Sequence, residues 1–328
     1  MDVEKWSLRI GAAALLCAVL LRLGSSGVFQ TAAQTLATPE AIAVMMYLET
    51  GRVVRPVHAI TPEETAPADT IPEADAPAQA VFAQADAALV EVNSYCGIDP
   101  DVPAMIQKPL SWDLTRSEPT VLIVHSHGSE SYQKTEDYEE SSAYRTLNTD
   151  YNMISVGAAL KKVLEEGGIS VIHDTTMHDN PSYSASYSRS RKSVKAYLQE
   201  YPSICLVLDL HRDAVENSSG KQLKFTAEKD GKTVAQLMLV VGTDTRLSHP
   251  NWPENMSLAV KLHALLEKDF PGICRPISFR SQRFNQDLSP GALLIEVGSA
   301  GNTRQEALAA AQVLGQTILA LSAGAEAA

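Results

Sequence analysis

Cysteine is scarce and scattered. Four occur in 328 residues, Cys17, Cys96, Cys205 and Cys274, and no two stand in C-x-x-C spacing. A zinc knuckle is thereby excluded, and so is any pairing that spacing alone could assign. Cys205 lies inside an apolar run and reads as core. No glycine-rich phosphate loop and no G-x-S-x-G elbow occur, so nucleotide binding and serine hydrolysis have no motif to rest on. Lys and Arg are missing altogether between Arg55 and Lys108. The formal charge is −12, and −8 of it falls before residue 119 (7 basic against 15 acidic), leaving the rest only mildly acidic (20 against 24). With no basic patch interleaved with aromatics, nucleic acid is not an expected partner.

Long apolar runs are also few. The N-terminal one is uninterrupted only from Ile10 to Leu21, short for a membrane span. Arg9 and Arg22 can snorkel to the two interfaces, which extends a possible transmembrane anchor to about Trp6–Phe29. A cleaved signal peptide is the rival, but no small-x-small site directly follows the core, and an uncleaved anchor over residues 1–29 is the expectation. Lys5 and Arg9 before it favour an inside N-terminus and an extracytoplasmic bulk. Residues 30–118 then read as a linker region. Its stretch 61–88 is acidic and rich in Ala and Pro, with too little apolar surface to offset ordering entropy.

From residue 119 to 328 short apolar runs alternate with helical patterns. The runs are Thr120–Val124, Ser170–His173, Ile204–Asp209, Leu237–Val241 and Ala292–Val297. The helical patterns cover about Asn152–Glu166, Ser184–Tyr201, Asn255–Lys268 and Thr303–Leu321. Such alternation predicts an α/β domain with a mostly parallel sheet and helices on both faces. Gly167-Gly168 predicts a helix stop, and Asn302 or Thr303 with Glu306 predicts an N-cap. Lys221–Val241, with EKDGKT at its centre, reads as a hairpin adding antiparallel strands at one edge.

Three of the apolar runs end in chemistry. VLIVHSHGSESY delivers His127 and Glu130, ICLVLDLHRD delivers His211, and ALLIEVGSAGNT carries Glu296. In open α/β sheets ligands bind beyond the carboxyl ends of strands. Two imidazoles and a carboxylate match the open ligand set of catalytic zinc, with a separate Glu to take a proton from the attacking water. Each signal alone has a bland reading. A lone H-x-x-E is common, a His after a strand is usually just hydrogen-bonded, and Glu296 could be salt-bridged to Arg212. Asp150 is the rival third ligand. His125 could ligate or orient a ligand, Asp209 shares a face with His211 as a supporting acceptor, and His173 and His178 could line the rim. A metal-free binding module and a zinc carboxypeptidase-like peptidase both remain open on these residues.

The segments VLIVHSHGSESY, NMISVGAALKKVLEEGGISVIHD, LVLDLHRD and PGICRPISFRSQRFNQDLSPGALLIEVGSAGNT together resemble the stage II sporulation protein P family, in family order, from about residue 119 to the C-terminus. The resemblance implies an amidase-type α/β domain and a Zn2+-dependent peptidoglycan hydrolase of endospore formers. Such an enzyme cleaves the N-acetylmuramoyl-L-alanine amide, and also peptide cross-links, during engulfment at the sporulation septum. It further implies a single-pass membrane anchor and two partners, a stage II sporulation protein D-like lytic enzyme and a multipass membrane scaffold. His127 and His211 match the family's metal-binding histidines, and Glu296 matches its catalytic Glu. Glu130 is taken as the third ligand on spacing, although in related amidases the ligand Glu lies nearer Asp150. The FNQDLSPG loop, from Phe284, matches the family loop that shapes the substrate groove.

Overall fold

Nine strands and five α-helices occur among the residues that the computed structural model describes, 82–110, 113–139 and 143–323. The strands are β1 Val92–Ser94, β2 Val121–Val124, β3 Val171–His173, β4 Leu206–Asp213, β5 Thr226–Lys229, β6 Lys232–Ala235, β7 Leu237–Gly242, β8 Ile277–Arg280 and β9 Ala292–Ser299. The helices are α1 Val102–Gln107, α2 Met153–Glu166, α3 Ser186–Glu200, α4 Trp252–Asp269 and α5 Arg304–Ala323. The anchor expected at residues 1–29 and most of the acidic linker lie outside the described residues. No helix among the described residues is long and apolar enough to cross a membrane.

Seven strands form one sheet in the order β1-β8-β7-β9-β4-β2-β3. All neighbours are parallel except β7 and β9, so the sheet is mixed. β7 sits in the interior, between β8 and β9, not at the expected edge. Its sequence LMLVVG is buried at every position, which suits a strand covered on both sides and flanked by two neighbours. The hairpin is a separate two-stranded sheet of β5 and β6, turned by Asp230 and Gly231, both at positive φ. β1 and α1 come from chain that composition assigned to the linker region. Val92 pairs with Ile277 at the sheet edge, and Ile106 is buried. Three strand residues and a single helical turn are too short to give a readable period.

Period-two alternation splits the sheet into two faces. Ile123, Leu208, Leu210, Leu239, Ile295 and their alternates join the large core beneath α2, α4 and α5. The residues between them point the other way. There, α3 covers Leu122, Val124 and Val207 through Val194. Helices therefore do lie on both faces, as expected, but unequally. Over β7 and β9 the apolar cluster on the α3-side face is small, Met238, Val240 and Leu294, touched by Tyr187 and Phe284.

Helix ends follow the signals in the chain. Asn152 caps α2 by accepting from the Ile154 amide at 3.0 Å. At its far end the Ile169 amide bonds the Leu164 carbonyl and the Gly168 amide bonds Glu165, with Gly168 at φ +86°. That is a Schellman stop, which only a residue tolerant of positive φ makes cheaply. Before α5, Thr303 Oγ1 accepts from the Glu306 amide while Glu306 Oε2 accepts from the Thr303 amide.

Two histidines are packed against α2. His125 Nδ1 lies 3.1 Å from the Leu210 carbonyl oxygen, so this nitrogen donates. His125 Nε2 must then accept from His173 Nε2, 2.8 Å away. Burial pushes the His125 pKa down to about 3 and the His173 pKa down to about 4. The space they occupy is opened by Gly157, where an added Cβ would fall 2.5 Å from His173 Nε2 and 2.6 Å from His125 Nε2.

Two outcomes are expected. Gly157→Ala gains about 1 kcal/mol of helix propensity but overpacks the pair at a cost of about 1–3 kcal/mol. Net destabilisation should therefore appear as a lower urea midpoint at unchanged slope. An unfolded His173 binds its proton near pH 6.5, the folded one only near 4. Stability should thus fall as pH drops from about 6.5 to 4, and in urea titrations at a series of pH values His173→Gln should make that decline shallower.

Candidate metal centre

The polar turn after β2 and the last residues of β4 and β9 meet on the α3-side face. On β4, Val207, Asp209 and His211 alternate onto that face, and on β9 Leu294 and Glu296 do the same. The parallel register sets His211 directly beside Glu296, and β7 sets Met238 on its other flank. His127 and Glu130 come from the turn 126–129, closed by the Glu130 amide on the His127 carbonyl at 3.1 Å.

His127, Glu130 and His211 converge, each buried, with one donor atom from each within 4.8 Å of the others. Glu130 Oε1 lies 3.5 Å from His127 Nδ1, and its Oε2 lies 3.5 Å from His211 Nδ1. A tetrahedral zinc with bonds of about 2.0–2.1 Å holds neighbouring donors roughly 3.3–3.4 Å apart, close to both of these separations. Asp150, the rival third ligand, is exposed and outside this cluster. His125 is outside it as well, committed to Leu210 and His173. His178 pairs with Asp174 at 3.0 Å.

Supporting contacts surround the three. Asp209 Oδ1 lies 3.0 Å from His211 Nε2, and its two oxygens also accept from the Ser126 amide at 2.7 Å and the Ser126 hydroxyl at 2.6 Å. One carboxylate thus ties His211 to the turn that carries His127. Arg212 donates from Nε to the Ser131 carbonyl at 2.9 Å and from Nη2 to the Tyr144 carbonyl at 2.7 Å. Its backbone amide donates to Glu130 Oε2 at 3.2 Å. Arg212 therefore braces the Glu130 turn and is not the salt-bridge partner of Glu296.

The two glutamates are driven apart. Burial acts to raise the Glu130 pKa, but hydrogen bonds from His127 and His211 and the charge of Arg212 hold it well below the usual range. Burial acts to lower His211, yet Asp209 and Glu130 hold it well above the usual range, so a metal would have to displace a proton there. Glu296 is pushed up to about 8, chiefly by burial, with Glu130 adding repulsion. Its Oε2 is sealed from solvent with no hydrogen-bond partner. A buried carboxyl oxygen left unbonded is costly, which fits a group waiting for a ligand or a proton.

The cleft above these groups measures about 440 Å³. Its walls include residues that sequence reading missed. The Tyr183 ring stacks on His127 at 4.3 Å, and Tyr187 meets the same imidazole edge-on at 5.3 Å. Arg145 lies over Tyr183 at 4.6 Å and reaches Asp179 at 2.8 Å and Glu130 at 3.2 Å. Nothing in YSASYSRSR or AYRTL distinguishes these side chains from surface ones. Tyr183 and Tyr187 reach the cleft because α3 starts beside it, and Arg145 because its loop pairs with Glu130. Phe284 lines the cleft too, as the groove-shaping loop was expected to.

Comparison with known proteins gives three findings. The family model for Stage II sporulation protein P matches residues 48–319. The Stage II sporulation protein P of Bacillus subtilis is 29% identical over 211 residues, 61% of this chain and 50% of that protein, so the alignment spans about half the relative's length. Among solved structures, the N-acetylmuramoyl-L-alanine amidase AmiC2 of Nostoc punctiforme is 14% identical with a TM-score of 0.37, covering 61% of this chain and 95% of its own. The CwlD amidase of Clostridioides difficile, in complex with the GerS lipoprotein, is 12% identical at 0.38, covering 62% and 95%. TM-scores this low do not bear on fold or activity.

Asp209→Asn keeps the shape of the bracing side chain but removes its charge. Loss of such a support should weaken zinc binding by about 10–100-fold in chelator competition, with the circular dichroism spectrum unchanged.

Proposed function

The chain belongs to the Stage II sporulation protein P family, and from that premise we propose that it is a zinc-dependent peptidoglycan hydrolase cleaving the N-acetylmuramoyl-L-alanine amide during sporulation. The observation that carries the reading is the unpartnered Glu296 Oε2 beside the His127–Glu130–His211 cluster, on the sheet face that α3 covers only in part. A module that only gripped stem peptides would have no use for a sealed, unbonded carboxyl.

His127, Glu130 and His211 would hold the ion. When bound, zinc would polarise the scissile carbonyl, activate the attacking water and, by its charge, bring the Glu296 pKa down. Glu296 takes a proton from the water and returns it to the leaving amine. Asp209 keeps the His211 ring oriented through both steps. Tyr183 and Tyr187 wall the site and thin the water around His127. Arg145, held by Asp179 and Tyr183, sets a positive charge at the cleft side of Glu130, where negative charge develops on the carbonyl oxygen.

The reading extends to the place of action. A membrane anchor at residues 1–29 and an acidic linker would let the domain work outside the cytoplasmic membrane, beside a stage II sporulation protein D-like lytic enzyme and a multipass scaffold. Cleavage of peptide cross-links at the same centre belongs to the proposal as well.

Glu296→Gln should retain one zinc per chain by elemental analysis yet lose about 10²–10⁴-fold in sacculus digestion, the usual contribution of a positioned acid-base group. Mass spectrometry of the wild-type digest should find intact stem peptides freed from the glycan. Shortened stems alone would make the enzyme a peptidase, and a zinc-free, inactive wild type would end the reading.

A further inference from the structure

The metal cleft does not end at its aromatic wall. A second cavity of about 480 Å³ adjoins it and shares Tyr187, Gln282 and Phe284 with it. Beyond that wall the lining changes character. Arg191, Arg246 and Arg283 contribute three guanidinium groups, and no acidic residue among the described residues lines the cavity. Leu247, 58% exposed, adds an apolar edge.

The three arginines are not equivalent. Arg191 donates to both oxygens of Asp287, at 2.8 and 2.6 Å. Arg283 Nε lies 3.4 Å from the same carboxylate, and its Nη1 bonds the Ser248 carbonyl. Asp287 therefore answers part of two cationic charges. Arg246 is exposed and makes no ion pair or hydrogen bond among the described residues. In a chain of net charge −12, a cavity left with surplus positive charge is a selective feature.

The wall between the cavities is held under strain. Phe284 and Asn285 both take positive φ, +50° and +62°, a region that a bulky aromatic seldom enters. Contacts across the cavity enforce it. Asn285 Nδ2 donates to the Tyr187 carbonyl at 2.9 Å and to Ser190 Oγ at 3.2 Å, and Arg191 reaches Asn285 Oδ1 at 3.4 Å. The loop is thereby fixed to α3 with the Phe284 ring shared by both cavities.

We propose that the second cavity is a binding subsite for a peptide bearing free carboxylates, continuous with the amide cleaved at Glu296, with Arg246 as the residue that reads its charge. The inference rests on the hydrolase reading and names the part of the polymer gripped beyond the scissile bond: the acidic stem peptide, not the uncharged sugar strand. Its apolar stretch lies along Leu247 and Phe284 while a carboxylate meets the guanidinium of Arg246.

The test uses the full chain and a fluorescent synthetic stem peptide with free carboxylates, beside a twin in which every carboxylate is amidated. Neither carries a muramoyl amide, so binding is read without turnover. Wild type should bind the free acid about fivefold tighter than the twin, the scale of one exposed ion pair. Arg246→Glu should abolish that preference, and Arg246→Lys should keep it. Equal affinity of wild type for the two peptides, or an unchanged preference in Arg246→Glu, overturns the proposal. Sacculus digestion run in parallel separates the two ideas: digestion with no peptide preference removes only the subsite, and no digestion by wild type removes the hydrolase reading whatever the peptides show.

Discussion

The parallel pairing of β4 with β9 is the constraint on which the rest depends. It fixes His211 beside Glu296 at the backbone level, before any side chain chooses a rotamer. A slip of one residue would turn both side chains, with Asp209, into the apolar core beneath α2, α4 and α5. That outcome is blocked because Leu208, Leu210 and Ile295 would then face the cleft. The hydrophobic core and the site therefore specify each other. The same alternation that buries one side of each strand delivers Asp209, His211 and Glu296 on the other.

Charge placement refines what the register begins. Glu130 stands among two imidazoles and two guanidinium groups, and its negative charge is the fixed point of the centre. Glu296 sits on the same face without such company and retains its proton more strongly. The two carboxyls thus have opposite tendencies: burial raises Glu296, while at Glu130 the imidazoles and the Arg212 charge outweigh it. The division suits one carboxyl to hold a cation and the other to move a proton.

Much of this was legible in the chain. The helices on α2, α3, α4 and α5 and the strands β2, β3, β4, β7 and β9 follow apolar period and cap residues, which are local signals. So do His127, Glu130, His211 and Glu296, because each ends a buried run. What escaped depends on partners far away in sequence. β7 reads as a hairpin strand until β8 is found on its other side, and β8 itself, Ile277–Arg280, is too short to announce itself. β1 and α1 are three and six residues long, and they pack chiefly against β8 and α4. Tyr183, Tyr187 and Arg145 carry no local pattern at all. Their role is fixed by where α3 begins and by the turn that Arg212 braces.

The two faces of the sheet differ in what they tolerate. On the helix-packed side a lost methylene opens a void that three helices cannot close. On the other side Met238, Val240 and Leu294 are buried mainly under Tyr187 and Phe284, so fewer partners dictate their volume. Substitutions there would reshape the bed of the cleft while leaving the strands' inner faces, and hence the register of the reactive groups, intact. The fold thus separates two kinds of evolutionary change: the floor can vary, and the spacing of His211 and Glu296 need not vary with it.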